Sequence, residues 1–330
     1  MSKTILVAGG YGVVGTHIAR QLRHLMPDAH LIIAGRSPEK AAPLVTELGS
    51  AKSLAMDTAS PADALTKAGP IDAIVAALQD PHDKLLQFAL TNGIAHLSIT
   101  RAVTEMAGLL ATAAHTGLRA PLVPAAHWQA GILSVTALDF ANQFQSVHRI
   151  SMSALFDLAD PIGPMTIEDA GHFFGKALIV RDNQWTWIEP DAEAKQITIG
   201  TQTFDAKPMS VLDVTSLRAA TGAANIGFYL GMGTSSGTRD AGAASHDMLI
   251  EIEGTDASGT TTTRTRLVSD PQGQAHLTAT GAALATRRAI GGDGKPAPAP
   301  AIHMPETILD VRATTALLQS EFGIKVTDTP

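Results

Sequence analysis

An apolar run, Ile5-Leu6-Val7-Ala8, passes directly into Gly9-Gly10-Tyr11-Gly12-Val13-Val14-Gly15, after which apolar side chains recur at Ile18, Leu22 and Leu25. Strand, glycine turn and helix therefore succeed one another within about twenty residues, an order that few folds tolerate at their first turn. In this pattern Gly10 permits a tight turn, Gly12 lets backbone approach a pyrophosphate, and Gly15 lets the helix lie close to the strand. The unpaired N–H groups of the helix N-terminus then face the anion. The segment predicts a dinucleotide site lined by Gly9, Gly10, Tyr11, Gly12, Val13, Val14 and Gly15.

The alternation continues along the chain. Short apolar runs at 30–34, 53–56, 71–77, 94–99 and 121–124 join the first at 4–8, with helical segments between them, as expected of βα units feeding a parallel sheet. Ser37-Pro38, Ser60-Pro61 and Asp80-Pro81 each offer a capping oxygen followed by a proline whose missing N–H is tolerated at the first helical position. Glycines at 49, 69, 93 and 117 stand where helices should stop. The expected fold class is α/β: an N-terminal Rossmann domain, a doubly wound parallel sheet over 1–125, completed by a C-terminal helix from 301–330.

The end of the second strand decides which dinucleotide. About 20 residues after the turn an NAD site places an acid on the ribose 2′-hydroxyl, whereas this chain has Ala34-Gly35-Arg36-Ser37. Arg36 can pair with a 2′-phosphate and Ser37 can add a donor, so the expected cofactor is NADP(H). Asp57, after the third strand, either accepts from the adenine amino group or caps its own turn. Ala77, closing the fourth strand, is the remaining expected cofactor contact.

Beyond 126 the texture changes, and 126–300 reads as an α+β domain for substrate and dimerisation. A helix is expected over 131–140, hairpins over 178–188 around Asp182-Asn183 and over 248–253 with 260–268, and a last helix at 306–320 packing on the first domain. The Gly/Ser-rich stretch 231–242 is expected to be mobile, either a surface loop or a lid over substrate.

Charge and composition narrow the partners. With 24 basic against 31 acidic residues there is no positive field for nucleic acid, and no apolar run approaches the roughly 20 residues of a membrane span. The absence of cysteine removes disulfides, thiolate metal sites and thiol nucleophiles. No zinc-type spacing occurs, so no metal is expected. A cytoplasmic protein acting on a small molecule, with a homodimer as its assembly, is the expectation. Histidines are the natural proton donors near neutral pH: His127 after the sixth strand and His96 within the fifth are the candidates, with His172 and His246 further on. Arg101, Arg149, Arg181 and Arg239 are either carboxylate clamps or ordinary ion-pair residues.

On the Gly9–Gly15 turn, Ala34-Gly35-Arg36-Ser37, Asn92 to Thr100, Pro305-Glu306 and Phe322-Gly323-Ile324, the chain resembles the saccharopine dehydrogenase-like oxidoreductases. The resemblance implies an NADP-type Rossmann domain, an α+β catalytic domain, and hydride transfer to or from a C=N or C=O carbon of an amino-acid-like or carbonyl substrate. Where relatives carry an aspartate at the end of the fifth strand, this chain has Ser98, and His127 to Gly131 departs from the family's Pro-Gly helix start. Those departures leave open a catalytically silent NADP-binding regulator or redox sensor. The glycine spacing also fits extended short-chain dehydrogenases, but Tyr11 and Tyr229 are succeeded four residues on by Gly15 and Gly233, so the Tyr-x-x-x-Lys pair of that family is missing.

Overall fold

The computed structural model describes residues 2–101, 103–163 and 175–329. They divide into two units: residues 1–126 with 278–309, and 127–277 with 310–330.

The first unit is built on six parallel strands, β1 Thr4–Ala8, β2 His30–Gly35, β3 Ala51–Ala55, β4 Ala73–Ala76, β5 Ala95–Ser98 and β6 Leu122–Pro124, in the order β3-β2-β1-β4-β5-β6. Every expected strand is present. The order reverses between β1 and β4, so the crevice at their carboxyl ends is the switch point where such sheets take ligands. Leu6, Ala8, Ile32, Ala34, Ile74 and Ala76 share one buried face, packed with Leu65 of the helix Ala62–Ala68 and with Leu85 and Ala89 of the helix Lys84–Asn92. Strands buried on both faces read as continuous apolar runs. That is why this sheet is legible in the sequence.

Helix starts are less legible. Neither Ser37 nor Ser60 supplies a capping hydrogen bond. Asp80 does cap, but a turn later than the Asp-Pro signal implies: its carboxylate accepts from the backbone N–H groups of Lys84, Leu85 and Leu86 at 2.9, 2.9 and 3.2 Å.

The second unit holds a nine-stranded mixed sheet, ordered β10-β11-β12-β7-β13-β14-β15, with the β8–β9 hairpin joined to β12. Its strands are β7 Ser146–Phe156, β8 Ala177–Arg181, β9 Gln184–Ile188, β10 Lys195–Ile199, β11 Gln202–Pro208, β12 Asn225–Met232, β13 His246–Thr255, β14 Thr261–Asp270 and β15 Lys325–Thr329. Asp182 and Asn183, both at positive φ, form the β8–β9 turn, as a two-residue hairpin requires. Met248, Ile250 and Ile252 are fully buried while Leu249, Glu251 and Glu253 are half-exposed, which matches the expected alternation. The helix expected from 131 runs over Ile132–Ala141. Two further helices, Leu212–Thr221 and Gln274–Ala289, carry no comparable sequence signal.

Two expectations need correction. The last helix divides into Pro305–Ile308 and Val311–Ser320, the second started by Asp310, whose Oδ1 accepts from Ala313 N at 2.9 Å. The segment 301–303 reaches the first sheet, bonding to both backbone groups of Leu122. Val311–Ser320 instead packs on the helix Ile132–Ala141, and β15 pairs with β14, because Val311–Ser320 buries Thr314, Thr315 and Leu318 and leads within a few residues into an edge strand. The Gly/Ser stretch 231–242 is not loosely held. Ser235 N and Thr238 Oγ1 donate to Asp157, Ser236 N donates to Asp247, and Gly237 N donates to Ser245 Oγ, all at 2.7–2.9 Å. Carboxylates that accept backbone N–H groups pin the loop in place.

Candidate functional site: a dinucleotide turn and a strained polar turn

In the first unit the glycines have separate duties. Gly9 turns at φ 75°, and a Cβ there would lie 2.7 Å from the carbonyl oxygen of Ala77. Ala77 therefore closes that side of the turn by its backbone. A Cβ on Gly10 would meet Val7 O at 2.8 Å and Ile33 Cγ2 at 2.9 Å, and one on Gly15 would strike Gly9 O. Around Gly12 the space is open save for Gly9 O at 3.2 Å. Gly12 is also the N-cap of α1 (Val13–Leu25), with no side-chain cap and no acid in the first turn. Val13 is exposed, and the first-turn N–H groups have no partner within the helix. A helix start with uncommitted donors of this kind suits an anion.

Tyr11 ties this turn to the end of β2. Its ring lies over Gly35, where a Cβ would come within 2.5 Å of the phenol oxygen, and its hydroxyl accepts from Ser37 N at 2.9 Å. Arg36, between these two residues, is exposed and makes no hydrogen bond or ion pair among the described residues. A guanidinium held at the rim with nothing to neutralise it suits a phosphate monoester. Asp57 caps its own turn, its Oδ1 accepting from Ala59 N at 2.9 Å.

His96 does not meet the expectation of a proton donor. It lies 2% exposed in mid-strand, with neither ring nitrogen hydrogen-bonded. Burial, aided by the charge of Arg101, holds its pKa down at about 3, so the ring is neutral and has no proton to deliver near neutrality. Its register partner is Ile74, which belongs to the buried helix-covered face. His96 is a core residue.

In the second unit His127 opens a turn of another kind. After it, Gln129, Ala130 and Gly131 all have positive φ, at 54°, 51° and 96°. Two consecutive non-glycine residues in this region cost about 1–2 kcal/mol each, and all three are buried. The surroundings hold the turn in place. Asp213, from the helix Leu212–Thr221, accepts from Trp128 N at 2.7 Å and from Ser134 Oγ at 2.6 Å. One turn along the same helix, Ser216 Oγ lies 2.8 Å from His127 Nε2. Trp128 Nε1 and Gln129 Nε2 both donate to His246 Nε2, at 3.0 and 2.9 Å. His246 is therefore a neutral acceptor with its proton on Nδ1, consistent with burial holding its pKa at about 4 against the pull of Asp247. Burial pushes Asp213 up to about 6, although its hydrogen bonds oppose the rise.

Of the predicted residues, the structure brings Gly9 to Gly15, Arg36, Ser37 and Ala77 to one edge of the first sheet, places Asp57 in its own turn, and puts His127 in the second unit. His172 lies outside the described residues. The four arginines have structural partners: Arg101 pairs with Asp83, Arg149 with Glu251 and Glu253, Arg181 with Glu193, and Arg239 with Gln202 and Thr234 O. Asp213 is the functional candidate that sequence reasoning does not reach. Its only signal is that of a lone acid among Val211, Leu212, Val214 and Leu217, since an acid on an apolar helix face is rarely buried without partners. Among the described residues no group of histidines and acids could hold a metal ion, and no helix is long and apolar enough to cross a membrane.

No protein-family model and no curated sequence matches this chain. Solved structures do match. Saccharopine dehydrogenase (L-Glu forming) from Saccharomyces cerevisiae, 13% identical, has a TM-score of 0.72 with 100% of this chain and 99% of that one covered. Amine dehydrogenase from Mycobacterium smegmatis, 15% identical, has a TM-score of 0.54 over 94% and 97% of the two chains. An oxidoreductase from Agrobacterium radiobacter, solved in complex with NAD+, L-tartaric acid and magnesium, is 14% identical with a TM-score of 0.50 over 98% and 95%. Over its described residues this chain shares the fold of the saccharopine dehydrogenase structure.

Proposed function

We propose that this protein is an NADPH-dependent oxidoreductase acting on a C=N or C=O carbon of a small amino-acid-like or carbonyl substrate. One observation carries the reading: an exposed guanidinium without a counter-ion, Arg36, stands beside an uncapped glycine turn at the switch point of a Rossmann sheet. The residues present fit the dinucleotide. Gly10 and Gly15 are replaceable by nothing larger, Gly12 leaves the cradle open, and Arg36 with Ser37 offers donors to a 2′-phosphate. Bound there, the nicotinamide cofactor supplies hydride chemistry.

The protein's own residues bind, orient and handle protons. The first-turn N–H groups of α1 hold the pyrophosphate, and Tyr11 fixes Arg36 relative to them. In the second unit His127 is the proton donor of this reading. Its Nε2 is held by Ser216 and its backbone leads into a turn fixed by Asp213, so the ring is oriented before substrate arrives. The overlap with saccharopine and amine dehydrogenases supports a nitrogen-bearing substrate. A panel of imines, formed from 2-oxo acids with amines, and of simple ketones should include one that drives steady NADPH oxidation. His127→Gln should slow the single-turnover rate about 10²–10⁴-fold while leaving NADPH affinity unchanged. Tight NADPH binding without turnover of any imine or carbonyl would overturn the enzymatic reading and leave a cofactor-binding protein.

A further inference from the structure

The β8–β9 hairpin of the second sheet leaves an edge open. Among the described residues β9 pairs with β8 and with no other strand. The two-residue loop Asp182-Asn183 closes on a hydrogen-bonded pair, Arg181 with Gln184, and such pairs alternate with non-bonded ones along an antiparallel ladder. Thr186 and Ile188 therefore bond to β8, whereas the backbone N–H and C=O groups of Trp185 and Trp187 point outward. No backbone bond from elsewhere among the described residues reaches either tryptophan. Their side chains share one face of the strand and are 49% and 57% exposed. Sheet edges are usually protected by a charge, a proline or a bulge, but Gln184-Trp185-Thr186-Trp187-Ile188 has no charge and no proline, and its register with β8 is unbroken.

From this edge we infer that two copies of the chain associate through β9, strand to strand and antiparallel, about a two-fold axis at Thr186. That register sets Trp185 opposite Trp187 of the second copy and Trp187 opposite its Trp185, so every outward N–H and C=O of both tryptophans gains a partner. One patch serves both copies, as a two-fold interface requires. The four indoles then lie on one face as two cross-strand aromatic pairs. Beyond the strand the same register carries Arg181 to the end where Asp191 of the second copy lies, so opposite charges meet at both ends. Two half-exposed indoles offer roughly 200 Å² per copy, about a quarter of the ~800 Å² that each partner gives to a standard interface. The dimer should therefore dissociate on dilution. The inference gives the homodimer expected from the sequence a definite surface, and it does not depend on the oxidoreductase reading.

The test uses the full chain. Since it contains no cysteine, a single introduced thiol reports the register. At the axis Thr186 faces itself as a non-hydrogen-bonded pair, with Cα atoms about 4.5 Å apart, within disulfide range. Under mild oxidation Thr186→Cys should form a covalent dimer at least about tenfold faster than Gln184→Cys, which lies on the same face but, across the axis, well beyond the ~7 Å limit for a disulfide. Sedimentation velocity of the wild type over about 1–100 μM should show a dimer that dissociates on dilution. Trp187→Ser should raise its Kd at least about tenfold, because each substituted copy loses an aromatic pair, and should leave the melting temperature unchanged because the ring is exposed. A chain monomeric throughout that range would overturn the proposal and leave the edge to a strand of another protein. A dimer indifferent to Trp187→Ser, or equal cross-linking by the two thiols, would overturn it as well.

Discussion

Two turns of this molecule solve opposite problems. The turn after β1 places its unusual backbone conformation at Gly9, and leaves the N-terminal donors of α1 open. The turn from His127 to Gly131 places positive φ on Gln129 and Ala130 as well as on Gly131, and surrounds the strained residues with Asp213, Ser134, Ser216 and His246. The first is cheap in conformational terms and has donors to spare for a ligand. The second stores strain that its neighbours must offset, as expected where geometry is fixed for function.

The largest effect should come from removing what holds the strained turn. Asp213→Ala leaves Trp128 N and Ser134 Oγ without their buried acceptor, each costing about 1–3 kcal/mol, so a loss of roughly 2–5 kcal/mol in urea unfolding is expected. Asp57→Ala, in an exposed turn, should change stability by less than about 1 kcal/mol. Comparable losses for the two would mean that the strained turn does not depend on Asp213.

Within the glycine turn the contrast is between neighbours. Gly15→Ala drives a methyl into the carbonyl of Gly9 and should cost about 1–3 kcal/mol, together with most cofactor affinity. Gly12→Ala meets only Gly9 O at 3.2 Å, so the fold should tolerate it and any loss should appear in cofactor binding alone. Equal destabilisation by the two would contradict the division of roles.

A smaller effect separates the domains by pH. His96 is held at about 3, so between about 3 and 6.5 the native state carries fewer protons than the unfolded one and stability falls on acidification. His246, at about 4, acts in the same direction in the second unit. There Asp213 and Asp160, both raised to about 6 by burial, act in the opposite one: their contribution is present below about 3.8 and is lost as pH rises to about 6. The acid sensitivity of His96 should therefore show in amide exchange of β5 as a steep loss of protection below pH 6.5. His96→Leu removes two unsatisfied buried nitrogens and should stabilise the protein by about 1 kcal/mol at neutral pH, with a flatter pH profile. A destabilised His96→Leu would assign the ring a role that its present surroundings do not show.

The same contrast explains what can be read from sequence. Sheet, glycine turn and Arg36 are legible because each rests on local pattern: apolar runs, glycine spacing and an absent acid. The polar turn is not, because Asp213, Ser216 and His246 meet residues 127–134 across separations of 79 to 118 residues. Nothing in Gln129-Ala130 announces positive φ, a conformation imposed by tertiary contacts. The Gly/Ser stretch 231–242 misleads for the same reason, since its fixed geometry comes from Asp157 and Asp247, which lie outside it in sequence. The place of Val311–Ser320 turns on β15, a short polar edge strand without apolar alternation.

On the proposed reading, the open turn and Arg36 together form an NADP(H) site. Titration calorimetry of NADPH and NADH against the wild-type protein and Arg36→Ala tests it directly. Losing one charge-assisted bond to the 2′-phosphate should cost about 1.5–3 kcal/mol, so NADPH affinity should fall about 10- to 150-fold while NADH affinity stays within about twofold and the melting temperature is unchanged. Tighter binding of NADH than NADPH by the wild type, or an equal loss for both cofactors in the variant, would contradict the assignment.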